Sequence, residues 1–224
     1  MEEEITNKVE MGFPGYTHPG SVAPYTLEDL GSNFEIYLPP ENLIMAICIR
    51  HEALRLMTEG YQVEIVTLGG AAEENMKIIK RMNELTQEEI PVVANTLSNS
   101  LASNISSLAD EEYNGCSFVI FCQEFTKKRT KRHAEYHLAG RDYELIDWES
   151  YESKTDFTDF ETDLLKDLLE ISGIPNMRKF TEWFLLQLAR FDPENGGTLW
   201  IANLRARLRS KDPRKNIFTK THLD

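Results

Sequence analysis

The chain has 224 residues and carries 37 acidic against 24 basic side chains, a net charge of -13. Hydrophobic residues make up 41% and aromatics 10%, a globular composition with enough apolar material for a large core, which excludes a wholly disordered chain. No apolar run approaches the roughly 20 residues that span a bilayer. The first ten residues are acidic where a secretory signal is basic, and three cysteines, Cys48, Cys116 and Cys122, are too few for a disulfide framework. The expectation is a cytoplasmic protein with no membrane partner.

The charge is strongly segregated. Residues 1–126 are net -14, residues 127–133 are +5, residues 142–170 are -9 and residues 203–224 are +5. Two basic islands therefore stand in an acidic chain, and the overall sum says little about what each island touches.

In chain order, residues 1–32 mix Pro14, Pro19 and Pro24 with Gly12, Gly15 and Gly20 and with Phe13, Tyr16 and Tyr25. Prolines and glycines at that density oppose regular structure while the aromatics oppose free solvation, so an extended packing arm is expected. Glu41–Glu59 has Leu43, Ile44, Ile47, Leu54 and Met57 at helical spacing, stopped at Gly60. Tyr61–Leu68 alternates as a half-buried strand, and Gly69-Gly70 leads into an amphipathic helix over Ala71–Leu85 with Lys77, Lys80 and Arg81 outside. Thr86 with Glu89 forms a capping-box pattern, which predicts a helix from there to about Ser107. The serines and asparagines of LSNSLASNISSL give that helix a small, weakly charged face suited to close contact with another chain or a ligand.

Cys116–Cys122, after an Asn114-Gly115 turn, reads as a short interior strand running directly into Lys127, Lys128, Arg129, Lys131 and Arg132. Five cations in six positions repel one another unless an anion or an acidic neighbour sits opposite. A short strand is expected around Tyr143–Ile146, and helices over Asp156–Ile171, Asn176–Phe191 and Thr198–Ser210. The last of these carries Arg205, Arg207 and Arg209, with Lys211 following.

Four constellations bear on chemistry. Cys116, Cys122, His133 and His137 match a Cys2His2 zinc set in residue type, but a strand would hold the two sulfurs roughly 20 Å apart. Asp142, Asp147, Glu152 and Lys154 have the residue types of a magnesium nuclease, in a segment so acidic that chance supplies them. Gly69-Gly70 lacks the further glycine of a dinucleotide fingerprint and the lysine of a P-loop, and Glu73 and Glu74 would repel an anion there. No serine sits in a nucleophile elbow and no histidine neighbours a recognisable nucleophile. No catalytic residue, metal site or cofactor is therefore expected.

The fold expected is a mainly α-helical α+β protein of two lobes, 33–126 and 142–211. A basic connector at 127–141 joins them, with an arm at 1–32 and a tail at 212–224. A small α/β sheet within residues 61–125 is the alternative. The expected function is a non-enzymatic, self-associating protein that binds single-stranded nucleic acid, RNA in particular, in the manner of a nucleocapsid or coat protein. Lys127, Lys128, Arg129, Lys131, Arg132, Arg205, Arg207, Arg209 and Lys211 would contact phosphate, and the arm and tail would mediate self-association. Two alternatives stand beside it: a protein-interaction module whose basic islands meet the acidic 142–170 belt, and a metal-dependent nuclease.

Overall fold

A computed structural model describes residues 8–14, 24–96, 100–171 and 185–194. Five strands form one parallel sheet: β1 (Lys8–Pro14), β2 (Gln62–Leu68), β3 (Val92–Asn95), β4 (Ser117–Cys122) and β5 (Tyr143–Asp147), in the order β3-β2-β1-β4-β5. Helices fill the connections: α1 (Pro40–Thr58) and α2 (Ala72–Thr86) lead from β1 to β2 and from β2 to β3. α3 (Leu101–Ser107) and α4 (Glu124–His137) lead to β4 and β5. After β5 come α5 (Trp148–Glu152) and α6 (Asp159–Ile171), and residues 185–191 are also helical.

The pleat assigns the two layers. Val9, Met11, Val63, Ile65, Val92, Val119 and Phe121 face a core built with α1, α2, α5 and α6, whereas Val66, Leu68, Phe118 and Ile120 face α3 and α4. Strands buried on both faces lose the hydrophobic-polar alternation of a half-exposed sheet. The strand expected over Tyr61–Leu68 is present, but it is buried from Ile65 to its end and not half-buried as its alternation predicts. Gly12 lies at the centre: a Cβ there would stand 3.1 Å from Leu108 Cδ1, so its absence lets the end of α3 pack directly on the central strand.

The architecture is a mixed α/β single domain, rich in helix as expected, whose strands are all parallel. It follows the alternative α/β reading more than an α+β one, with the sheet extending beyond residues 61–125 to β1 and β5. Three local readings change with it. Residues 8–14, inside the stretch expected to be an arm, are the central strand, because their short β1 run can pair on both sides. The helix expected from Thr86 is interrupted: Thr86 closes α2, Gln87 takes a left-handed φ of 59°, and β-branched Val92-Val93 joins the sheet edge. The capping box that starts the next helix belongs to Ser100 and Ser103. Lys127–Arg141, expected as a connector, is the body of α4 and the turn into β5. The 198–210 helix, with Arg205, Arg207, Arg209 and Lys211, lies outside the described residues. Among the described residues no helix is long and apolar enough to cross a membrane.

His133 and His137 join α4 to the turn after residues 185–191. His133 Nδ1 donates to the Pro193 carbonyl at 2.7 Å, and His137 Nε2 to that of Glu194 at 3.0 Å. Burial, with Arg129 and His137 nearby, lowers the His133 pKa from 6.5 to about 4, against the pull of the Pro193 carbonyl and Asp192. The unfolded chain therefore binds more protons than the folded one between about pH 4 and 6.5, and stability falls as pH drops through that window. From pH 7 to pH 5 the wild type is expected to lose about 2 kcal/mol more than His133→Gln, measured by urea unfolding.

Candidate functional site

Along β3-β2-β1 the chain winds outward one way, and from β1 to β4-β5 it winds the other. The switch point falls between β1 and β4. In open parallel sheets a crevice forms at that point beyond the carboxyl ends of the strands, where the connecting helices begin. Here that edge is formed by Gly69-Gly70, Asn95-Thr96, Ser100, Gln123-Glu124 and the first turns of α1 and α2.

Its best-built part surrounds the β2–α2 turn. Gly69 adopts φ +88°, donates its N–H to the Asn95 carbonyl at 3.0 Å, and accepts from Ala72 N–H at 3.0 Å. A Cβ on Gly69 would stand 3.1 Å from Asn104 Oδ1, so the Asn104 amide lies directly on the turn. Beneath it the Thr67 hydroxyl stands 2.8 Å from the Ala72 carbonyl and 3.1 Å from that of Val93, donating to one at a time. In the first turn of α2, Asn75 is fully buried, with Oδ1 3.5 Å from Asn42 Nδ2 in the first turn of α1. Asn75 Nδ2 has no hydrogen-bond partner among the described residues. A buried amide left with an unmade bond costs about 1–3 kcal/mol, so such a group marks a place where a further acceptor fits.

The electrostatics disfavour a bare anion. α1 opens with Glu41, α2 with Glu73 and Glu74, and α4 with Glu124, each occupying the positive end of its helix dipole. At the β4–β5 side Glu149 accepts from Glu124 N–H at 2.8 Å, while its other oxygen is buried without a partner among the described residues. Burial pushes its carboxyl up to about 7, and the neighbouring Asp147 and Glu124 add to the rise. What the edge offers is side-chain amides, from Asn42, Asn75, Asn104 and Gln123, together with hydroxyls and carboxylates.

The residues expected from sequence fall elsewhere. Lys127 meets Asp147 at 2.5 Å; burial opposes ionisation of Asp147, but the bonds from Lys127 and Ser150 prevail and hold it at about 2. Lys131 and Arg132 lie 3.9 and 3.7 Å from Glu135 in the same helix. Lys128, Lys131 and Arg132 share one exposed face of α4 at i, i+3, i+4 spacing, while Arg129 is half-buried. Cys116 and Cys122 sit at opposite ends of β4, and both histidines are engaged by backbone carbonyls. Asp142 and Asp147 flank β5 at opposite edges of the sheet, so the acids of the nuclease reading do not converge.

Comparison with protein-family models, curated proteins and solved structures found no match.

Asn42, Asn75 and Glu149 were not legible as site residues in sequence. An isolated asparagine in a helix has no pattern of its own; the one signal present was the Asn- and Ser-rich stretch containing Asn104.

Proposed function

We propose that the protein binds a small, uncharged polar molecule at the carboxyl edge of its sheet, one whose edges carry both hydrogen-bond donors and acceptors, as a nucleoside or sugar does. The observation that carries this reading is the fully buried Asn75 amide, whose Nδ2 has no partner among the described residues, beside the Gly69 turn at the edge of a doubly wound sheet. Amides pair with donor-acceptor edges, and acids at the helix starts repel phosphate. Glu149, whose carboxyl is pushed up to about 7 by burial, lies at the β4–β5 side of the same edge.

The test is thermal unfolding of the full chain with a panel of nucleosides and simple sugars, in wild type and Asn75→Leu. At least one member is expected to stabilise the wild type, by about 2.7 kcal/mol at a hundredfold excess over Kd. Asn75→Leu removes one unsatisfied buried donor but takes the 3.5 Å acceptor from Asn42 Nδ2, so its ligand-free stability should stay close to wild type, and it should lose the response. No response from any member, or an unchanged response in Asn75→Leu, contradicts the reading.

A second reading, the single-stranded nucleic acid-binding protein expected from sequence, is favoured by the exposed α4 face. There Lys128, Lys131 and Arg132 stand together, with Glu135 3.9 and 3.7 Å from Lys131 and Arg132. The arm and the basic tail would then supply self-association. Filter binding of single-stranded RNA at low salt, lost when those three cations become alanine, supports it; affinity unchanged by the substitution removes it.

A further inference from the structure

A groove of about 630 Å³ runs between α2 and the turn from Leu30 to Phe34, away from the carboxyl-edge turn. Its walls combine apolar Leu30 and Phe34 with Lys77, Lys80 and Arg81, and with the exposed Ser32 and Asn33. Lys77, Lys80 and Arg81 lie along one face of α2 at i, i+3, i+4 spacing, a basic strip that, like the one on α4, the carboxyl-edge site does not use.

The arginine is held in position. Its Nε donates to the Leu30 carbonyl at 3.0 Å, and Gly31, at φ +103°, makes the room: a Cβ there would stand 3.2 Å from Arg81 Nη2. A guanidinium fixed through Nε keeps its outer nitrogens available for a planar or tetrahedral anion. Nη1 currently meets Glu84 at 3.2 Å, a carboxylate whose side chain is 67% exposed and so easily exchanged. Lys77 lies 2.7 Å from Glu74.

We propose that this groove binds a small phosphate monoester with an apolar or aromatic body. The phosphate lies among Lys77, Lys80 and Arg81, displacing Glu84 from Arg81, and the body packs on the partly exposed Phe34. A monoester phosphate carries nearly two negative charges at neutral pH, which suits three cations better than a carboxylate does. The site is independent of the carboxyl edge and stands whether or not that edge binds a ligand.

Titration calorimetry of the full chain with phenyl phosphate, inorganic phosphate and phenol tests it. Phenyl phosphate is expected to bind more tightly than inorganic phosphate, and phenol not at all. Lys80→Ala, a change at an exposed position that leaves the fold intact, should weaken phenyl phosphate about tenfold. Glu84→Gln, which removes the competing carboxylate, should strengthen it about threefold. A role confined to stability would not produce that gain. The proposal is overturned if the wild type does not bind phenyl phosphate, if inorganic phosphate or phenol binds as well, or if both substitutions leave the affinity unchanged.

Discussion

Glu161→Ala is expected to destabilise the protein by about 3–5 kcal/mol, read from urea unfolding. Glu161 is fully buried and meets Arg50 Nη1 at 3.0 Å, with the Arg50 side chain only 2% exposed. Arg50 also donates through Nε to Asn83 Oδ1 at 2.9 Å and through Nη2 to the Thr86 hydroxyl. The second Glu161 oxygen takes His51 Nδ1 at 2.8 Å and the Thr158 hydroxyl at 3.0 Å. Burial alone would raise the Glu161 pKa, but the His51 and Thr158 bonds hold it below its usual value. One carboxylate thus ties α6 to α1 and, through Arg50, to α2. Deleting it leaves a buried guanidinium without its counter-charge, which costs more than the pair contributes. Replacing both partners, as Arg50→Met with Glu161→Leu, should therefore recover most of the loss. A Glu161→Ala protein within about 1 kcal/mol of wild type would show that the network does not hold α6.

Phe121→Ala should cost a similar amount, about 3–5 kcal/mol, through the cavity it leaves. Phe121 is fully buried in β4, with its ring centroid 5.3 Å from that of Tyr151 in an edge-on contact. Tyr151 in turn donates to Glu52 Oε2 at 2.9 Å, so the ring fixes α5 against α1 as well as filling the core. Phe121→Leu keeps most of the volume and should lose less than half as much. Equal losses for Ala and Leu would mean that the aromatic contact, not the filled volume, dominates.

Much of the secondary structure was legible from apolar spacing or from an unbroken apolar run. α1, α2 and the Cys116–Cys122 strand follow from the spacing of their apolar residues, within a residue or so at each end. The parallel sheet was harder to read. β1 hides among prolines and glycines, and its role as central strand follows from pairing with β2 and β4 over 50 and 100 residues away, which no local pattern records. β3 has four residues, too short for periodicity to outweigh the helical stripe read across it. The basic run was read for its charge, and its helical phase decided the outcome. At i, i+3, i+4 spacing Lys128, Lys131 and Arg132 face outward, while Lys127 turns to Asp147, a residue of the acidic belt that begins at Asp142. The amide site was the least visible, because Asn42 and Asn75 come from separate helices and approach only once α1 and α2 pack on the sheet, while Asn104 reaches the Gly69 turn from the other face.

The central claim is that a ligand sits at the carboxyl edge of the sheet. Amide hydrogen exchange of the full chain, with and without the nucleoside or sugar that most raises the unfolding temperature, tests it most directly. The account predicts new protection concentrated in residues 69–75, 100–104 and the first turn of α1, with the opposite edge around Asn114–Cys116 and Arg141–Asp142 unchanged. Protection confined to α4 or to the opposite edge would contradict it.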